Sequence, residues 1–309
     1  MRTLRLGSAF ALLALFVAGA GISPSQASSA DVTIVAVGDV AKYVNGPQTK
    51  TAALTAALKP SQVLLLGDLA YLYGQPADFT TKFNPSWGTL VASKIHTIAV
   101  PGNHEYSKSA TADGYRLTAK KYHFPLTVRQ GELPDLWSST RIGTWTVIGL
   151  DSEGLSSSSH QLNAKGTREI NFLKAQLAAN NGRPTIVMWH RPRFSTGPHG
   201  NQTDIGVTSL WTVASADIDV KVALFGHDHI FEPVKRNVAA TANVPAHKVL
   251  TMTIGTGGAD LYKCSGPTCI KNSYGVAKLT LHATSLDWKF IAVSKTAATG
   301  KILAAGTVN

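Results

Sequence analysis

Short apolar runs recur along the chain, and each of them ends at a polar residue or at a glycine. The runs cover residues 32–37, 63–66, 95–100, 147–150, 185–189 and 220–225. They are rich in Val, Ile and Leu and mostly lack polar alternation, which is typical of strands that are covered on both faces. The pattern therefore predicts six buried strands.

Two segments between these runs carry apolar residues at helical spacing. They cover residues 49–58 and 167–179, and each ends at a helix-breaking sequence. Strand, helix and strand in succession predict an α/β layered domain. The pattern changes near the end of the chain, where the runs 249–254, 276–281 and 285–293 leave no room for a helix between the last two. These runs predict an antiparallel edge or a second sheet.

The composition is that of a globular protein. Of its 309 residues, 44% are hydrophobic and 15% are charged, which excludes a disordered chain and a collagen-like fibre. The 29 Lys and Arg residues exceed the 18 Asp and Glu residues, and the resulting positive field favours anionic ligands in general. Because the basic residues are scattered, with no basic run interleaved with aromatic residues, we expect no specific nucleic-acid binding.

The N-terminal thirty residues differ from the rest of the chain. Two arginines precede an apolar stretch at residues 9–20, and a small-residue cleavage sequence ends at Ala27. These features predict a secretory signal peptide over residues 1–27, cleaved near Ala27 or Ala30, and an extracellular domain over residues 28–309. A membrane anchor is the alternative, but the stretch is shorter than the roughly 20 apolar residues that span a bilayer. We therefore expect no membrane span.

The two cysteines, Cys264 and Cys269, lie in a turn rich in Gly and Pro. Their short separation and the predicted export favour a small disulfide loop. A free or metal-bound pair is the alternative, but two thiols alone lack the other ligands of a zinc site.

Potential metal ligands follow the predicted strands, where α/β proteins gather their ligands. They are Asp39, Asp68, Tyr71, Asn103, His190, His227 and His229. Each of them alone is more often a turn former, a packing residue or a surface residue. Together they offer two carboxylates, an amide oxygen, three imidazoles and a phenol, enough for two metal ions that share one carboxylate. If the segment at residues 226–229 is extended, its two imidazoles lie on the same side.

These residues lie in five short sequences with a common order. The sequences are GDV at 38–40, GDLAY at 67–71, GNHE at 102–105, MWHRP at 188–192 and GHDH at 226–229. They resemble the five blocks of the calcineurin-like metallophosphoesterases, and they are most similar to those of the purple acid phosphatases. Ala41 stands where general members have a histidine ligand, while Tyr71 matches the position at which purple acid phosphatases have a tyrosinate ligand.

The resemblance implies an α/β fold, a four-layer sandwich of two mixed β-sheets flanked by helices. The five blocks span residues 38–229, and the C-terminal strands suit the second sheet of that fold. Plant-type members carry an additional N-terminal β-sandwich domain, for which the residues before Asp39 are too few. We therefore expect the short, single-domain form.

The resemblance also implies a dinuclear centre of Fe(III) and a divalent metal, which is Fe, Zn or Mn. The residues at the Fe(III) positions are Asp39, Tyr71 and His229. The residues at the divalent positions are Asn103, His190 and His227, and Asp68 matches the residue that bridges the two ions.

Other residues match positions that act near the substrate. His104 would contact the phosphate and stabilise the charge of the transition state. His199 would protonate the leaving alkoxide, although a loop histidine is also compatible with a surface role. Glu105 is expected to orient His104. Arg191 and Arg193 either reach a substrate phosphate or are solvated surface residues.

Taken together, the predicted export and the resemblance imply a secreted phosphatase that hydrolyses small phosphate monoesters by a metal-activated hydroxide. Fe(III) lowers the pKa of its water further than a divalent ion does, so we expect an acidic pH optimum. A phosphodiesterase or nucleotidase on the same metal ligands is one alternative. A non-catalytic exported protein that binds phosphate or an anionic polymer is another. The sequence leaves the physiological substrate, the divalent metal and the oligomeric state open.

Overall fold

The computed structural model describes residues 30–93, 95–294 and 300–309, and the predicted signal peptide lies outside them. Twelve strands are formed in the described part of the chain. The strands are β1 (Val32–Val37), β2 (Gln62–Leu66), β3 (His96–Val100), β4 (Ser138–Ile142), β5 (Trp145–Gly149), β6 (Thr185–Met188), β7 (Val220–Phe225), β8 (Phe231–Val238), β9 (His247–Ile254), β10 (Gly275–Leu281), β11 (Leu286–Val293) and β12 (Gly300–Val308).

The strands form two mixed sheets of six strands each. The first sheet has the order β12-β11-β10-β1-β2-β3, and the second has the order β4-β5-β6-β7-β9-β8. Strands β1, β2 and β3 are parallel, whereas β10, β11 and β12 extend the same sheet as an antiparallel edge. In the second sheet β5, β6, β7 and β9 are parallel, and the edge strands β4 and β8 are antiparallel.

Helices follow most of the parallel strands. They are α1 (Gln48–Ala57), α2 (Pro76–Asp78), α3 (Thr89–Ala92), α4 (Asn103–Tyr106), α5 (Asp113–Tyr122), α6 (Ala164–Ala178) and α7 (Ile205–Ser215). A π-helical segment, Phe79–Gly88, joins α2 to α3. No helix among the described residues combines the length and the apolar character that a membrane span requires.

Alternate residues of β7 show how the layers are packed. Val222 and Leu224 belong to the core between the two sheets. Ala223 and Phe225 point the other way and pack with apolar residues of α6 and α7, because successive side chains of a strand face opposite sides of the sheet. This arrangement is the α/β sandwich of two mixed sheets with outer helices that the sequence predicts.

The six strands and two helices predicted from apolar spacing are confirmed within a few residues. Of the two alternatives for the C-terminal runs, β10 and β11 form an antiparallel edge, and they extend the sheet that contains β1. The predicted disulfide between Cys264 and Cys269 is present.

Candidate metal centre and active site

The predicted ligands converge because the parallel strands of both sheets end at the same edge of the sandwich. Asp39 and Asp68 follow β1 and β2, whereas His190 and His227 follow β6 and β7, and all four are buried. Asp39, Asp68 and His227 have φ values of 58°, 50° and 69°. Non-glycine residues seldom adopt this left-handed conformation, and it occurs preferentially at functional sites.

One group of donor atoms surrounds the hydroxyl of Tyr71. The Tyr71 Oη lies 2.9 Å from Oδ1 of Asp39, 3.1 Å from Oδ2 of Asp68 and 3.1 Å from Nε2 of His229. Ala41 is buried nearby and has no side-chain donor atom to add. Tyr71 therefore contributes the fourth donor of this group, next to the two carboxylates and the imidazole.

A second group adjoins the first through Asp68. Oδ2 of Asp68 lies 3.3 Å from Nε2 of His190, and the same nitrogen lies 3.2 Å from Oδ1 of Asn103. Asp68, His190 and His227 each offer a ligand atom, and these three atoms lie within 4.8 Å of one another. Asp68 thus contacts both groups, as a bridging carboxylate does.

Hydrogen bonds set the orientation of two imidazoles. Nδ1 of His190 donates to the carbonyl oxygen of Leu66 at 2.8 Å, and Nδ1 of His229 donates to the carbonyl oxygen of Asp260. Because Nδ1 is the donor in each case, Nε2 faces the carboxylates, and in the neutral ring its lone pair can bind a metal. Oxygen and imidazole donors presented in this way fit Fe, Zn or Mn ions.

The electrostatics of the cluster favour a positive charge. Burial lowers the pKa of His190, but the carboxylate of Asp68 outweighs it and raises this pKa to about 10. Burial likewise opposes the protonation of His229, and the hydrogen bond to Asp39 raises its pKa above the usual value. Burial, Asp39 and Asp68 all raise the pKa of Tyr71. A metal cation among these donors would supply the positive charge that the two carboxylates attract, and it would lower the pKa of Tyr71.

His104 lies at the border of the cluster and is partly exposed. Its backbone N–H donates to Oδ1 of Asp68 at 2.9 Å, its Nδ1 donates to the carbonyl oxygen of Leu72, and its Nε2 lies 3.8 Å from Oδ2 of Asp68. Its imidazole can therefore contact a ligand that approaches from solvent.

Glu105 differs from the sequence-based expectation. Its buried carboxylate accepts hydrogen bonds from the backbone N–H groups of Asp68, Leu69, Ala70 and Gly102 at 2.7–3.2 Å. No hydrogen bond joins its side chain to the imidazole of His104 among the described residues. Glu105 positions the two loops that carry the ligands, instead of orienting His104 itself.

His199 is held by Asp228, which lies between two of the predicted ligands. Oδ1 of the buried Asp228 accepts from the backbone N–H of His199 at 3.1 Å and from its Nδ1 at 2.9 Å. The ring of His199 stacks on that of His227, with centroids 4.1 Å apart. Since 39% of the His199 side chain is exposed, its Nε2 is available at the edge of the site.

The segment at residues 226–229 brings its two imidazoles to the centre by turning, so the expected extended conformation is wrong. The N–H groups of Asp228 and Ile230 donate to carbonyl oxygens only two residues before them. Space here is narrow: a Cβ atom on Gly226 would lie 2.7 Å from Oδ2 of Asp39, and one on Gly255 would lie 2.2 Å from the carbonyl oxygen of Asp228. Glycine is required at both positions.

The two arginines after His190 have different surroundings. Nε of Arg191 donates to both carboxylate oxygens of Glu153 at 2.9 Å, and its Nη1 lies 3.1 Å from Nε2 of His227. The guanidinium of Arg193 lies over the ring of Phe194 instead, 4.8 Å from its centroid.

Sequence reasoning missed Glu153, Asp260 and Tyr262. The ring of Tyr262 stacks on His229 with centroids 4.1 Å apart and an interplanar angle of 13°. Tyr262 and Asp260 lie in an irregular segment after β9, so no apolar run marked their positions. For Asp260 the ligand contact is through the backbone carbonyl, which the residue type does not reveal.

Comparisons with known proteins agree with this architecture. The family model of the calcineurin-like phosphoesterases matches residues 32–231. An uncharacterized protein of Mycobacterium tuberculosis is 26% identical over 140 residues, which is 42% of this chain and 26% of that protein. The chain therefore spans about a quarter of the length of the curated relatives it matches.

Several solved structures share the fold. A purple acid phosphatase from yellow lupin (Lupinus luteus) seeds has a TM-score of 0.64 at 19% identity, covering 91% of this chain and 54% of that chain. A dimetal phosphatase from Danio rerio has a TM-score of 0.55 at 14% identity, and the match covers 88% of this chain and 98% of that chain. GAP50, the anchor in the inner membrane complex of Plasmodium, has a TM-score of 0.62 at 15% identity, and the match covers 90% of this chain and 89% of that chain.

At these identities the solved structures show a shared fold. The family model is more specific, because residues 32–231 include all five sequence blocks and more than half of the chain. The chain therefore belongs to the calcineurin-like phosphoesterase family, whose enzymes are hydrolases that act on phosphoric ester bonds.

Proposed function

We propose that this chain is a secreted phosphate monoesterase of the purple acid phosphatase type. The observation that carries the proposal is the position of the Tyr71 hydroxyl, within 3.1 Å of Asp39, Asp68 and His229. A phenol buried between two carboxylates becomes a useful ligand only when a strongly charged cation stabilises the phenolate. This supports Fe(III) at the Tyr71 position.

The donor set divides into two sites that share Asp68. Asp39, Tyr71 and His229 would hold the Fe(III) ion. Asn103, His190 and His227 would hold the divalent ion. When bound, the metal pair supplies positive charge against the phosphate and lowers the pKa of the attacking water.

The histidines at the edge of the site complete the proposed mechanism. His104, held by Leu72 and by the Asp68 carboxylate, donates a hydrogen bond to the phosphate as its charge increases in the transition state. Hydrolysis of an alkyl phosphate expels an alkoxide that needs a proton. His199 supplies this proton from Nε2, while Asp228 holds Nδ1 and fixes the ring.

The first experiment measures hydrolysis of p-nitrophenyl phosphate and bis(p-nitrophenyl) phosphate from about pH 4 to about pH 9. We expect a strong preference for the monoester, an acidic optimum and a visible tyrosinate-to-iron absorption band that Tyr71→Phe abolishes. Tyr262→Phe is the matched control and should keep the band. Preference for the diester would make the chain a phosphodiesterase, whereas phosphate binding without turnover would make it a binding protein. A colourless enzyme that contains only zinc would contradict the subtype.

We also propose that residues 1–27 direct export and that the mature enzyme begins after Ala27 or Ala30. The two N-terminal arginines, the apolar stretch and the cleavage sequence support this. N-terminal sequencing of the protein recovered from culture medium tests it. Recovery of the uncleaved chain from the cytoplasm would contradict export.

A further inference from the structure

We propose that Arg191 binds the phosphate group of the substrate and that Glu153 positions it. This inference rests on the proposed function and extends it, because it names the residue that favours monoesters over diesters.

Glu153 fixes only one part of the guanidinium. Its carboxylate is nearly buried and accepts both hydrogen bonds from Nε of Arg191. The backbone N–H of Arg191 is held separately, by the hydroxyl of Ser152 at 3.1 Å. Glu153 thus anchors the side chain through Nε and leaves the Nη1 and Nη2 groups to other acceptors.

The acceptor of Nη1 belongs to one of the predicted metal ligands. Nη1 lies 3.1 Å from Nε2 of His227, and His227 offers one of its two ring nitrogens to the candidate metal site. If Nε2 bound the metal, its lone pair would be used, and if Nδ1 bound it, Nε2 of the neutral ring would carry the proton. In either case the N–H group of Arg191 would lose its acceptor. Nη2 has no acceptor among the described residues. A guanidinium with unpaired N–H groups beside a phosphoesterase centre is suited to a phosphate oxygen.

The charges around Arg191 favour the binding of an anionic ligand. A guanidinium next to a divalent ion is repelled, and the single carboxylate of Glu153 offsets only one positive charge. A phosphate monoester carries up to two negative charges and three terminal oxygens, whereas a diester carries one charge and two such oxygens. Arg191 therefore stabilises a bound monoester more than a bound diester.

The decisive experiment compares Arg191→Gln with wild-type holoenzyme in two ways. Calorimetric titration with inorganic phosphate measures anion affinity without turnover, and kcat/KM is measured for a matched monoester and diester above about pH 6, where the monoester carries two charges. We expect phosphate affinity and monoester kcat/KM to fall roughly 10- to 100-fold and diester kcat/KM to change less than about 3-fold.

Matched variants separate this role from a structural one. Arg193→Gln removes the same charge two residues away, over the ring of Phe194, and should leave both measurements unchanged. Arg191→Gln leaves the carboxylate of Glu153 buried without its cationic partner, so the double variant Arg191→Gln/Glu153→Gln is measured as well. Glu153→Gln alone should weaken phosphate binding less than Arg191→Gln, because the guanidinium remains. The metal content of each variant is determined first.

The outcomes distinguish this inference from the proposed function. Unchanged phosphate affinity in Arg191→Gln, or an equal loss for both esters, would overturn the role of Arg191. If wild-type enzyme hydrolyses neither ester, the proposed function fails, and the calorimetric comparison still decides whether Arg191 binds phosphate.

Discussion

Asp228 and His199 form a pair whose role can be tested with substrates of different leaving groups. Oδ1 of Asp228 accepts both hydrogen bonds from His199, so the imidazole cannot rotate freely. A p-nitrophenolate leaves without a proton, whereas an alkoxide requires one. His199→Ala should therefore lower kcat for an alkyl phosphate by about 100-fold or more and change kcat for p-nitrophenyl phosphate much less.

Asp228→Asn provides the second half of this test. The asparagine retains an oxygen acceptor for the His199 ring, but its neutral amide accepts a weaker hydrogen bond than the carboxylate. We therefore expect kcat for the alkyl phosphate to fall more than kcat for p-nitrophenyl phosphate, by a smaller factor than in His199→Ala. The dependence of log kcat on leaving-group pKa measures this directly. An equal loss for both substrates, at unchanged metal content, would mean that His199 does not donate the proton.

Much of the site could be predicted at the level of single residues. Asp39, Asp68 and His190 each follow an apolar run that is local in the sequence, and parallel strands bring such positions to one edge. Glu153 and Asp260 could not be found in this way. Glu153 acts through an arginine 38 residues later, and Asp260 acts through a carbonyl group that every residue has. Contacts of these kinds depend on the tertiary structure.

At the scale of elements, Glu105 connects the loop after β2 to the start of α4. Its carboxylate accepts from the N–H groups of residues 68–70 and from that of Gly102. A glutamine offers one acceptor oxygen instead of two, so Glu105→Gln leaves backbone donors buried without partners. We expect a loss of about 2 kcal/mol or more in the free energy of unfolding and weaker metal retention.

Chemical denaturation of the metal-free and metal-loaded forms measures this effect. Glu132→Gln is the control, since Glu132 is exposed and pairs with Arg129 at the surface, where ion pairs contribute little. If both substitutions changed stability by the same small amount, Glu105 would not hold the two loops together.

Helix α6 carries a buried glutamate that makes stability depend on pH. Oε1 of Glu169 accepts from the backbone N–H of Asp151, while its Oε2 is buried and has no hydrogen-bond partner in the described part of the chain. Burial, and then the nearby Asp151 carboxylate, raise the pKa of Glu169 well above its usual value. The pKa of Glu169 is therefore higher in the folded state than in the unfolded state. Its contribution to stability is fully present below the unfolded-state pKa and is lost as the pH rises towards the folded-state pKa.

Glu169→Gln should remove this dependence, because glutamine has the shape of a protonated glutamate. The melting temperature of the variant should match that of wild type near pH 4 and exceed it by a margin that grows towards pH 8. Thermal unfolding at several pH values gives this difference. A constant difference across the range would show that Glu169 does not titrate between the folded and unfolded states.

Elements with strong local patterns were predictable, and those shaped by tertiary contacts were not. The buried parallel strands have continuous apolar runs. In contrast, β8 contains Pro233, and after three buried residues it alternates half-buried and exposed ones. Strand β12 exposes most of its side chains. Helix α7 is rich in Val, Ile and Thr, which usually favour strands, and it forms because its apolar face packs on the second sheet.

At the scale of the whole molecule, the candidate metal centre joins the two sheets. Asp39, Asp68 and Tyr71 follow strands of the first sheet, whereas His190, His227 and His229 follow strands of the second. Metal ions held by both groups would link the sheets at the edge where their parallel strands end. Such a link forms only in the folded protein, since the ligands are far apart in the sequence.

Removal of the metals should therefore lower the stability of the entire domain and not only its activity. A ligand that binds only the folded state adds about 4 kcal/mol when its free concentration is 1,000 times Kd. We expect chelation to lower the melting temperature by roughly 8 °C or more, at 2–4 °C per kcal/mol for a domain of this size. Iron together with a divalent ion should restore it, and Asp68→Asn should abolish most of the restoration because Asp68 contacts both groups of ligands. An unchanged melting temperature after complete chelation would mean that the donors of the two sheets do not hold a shared centre.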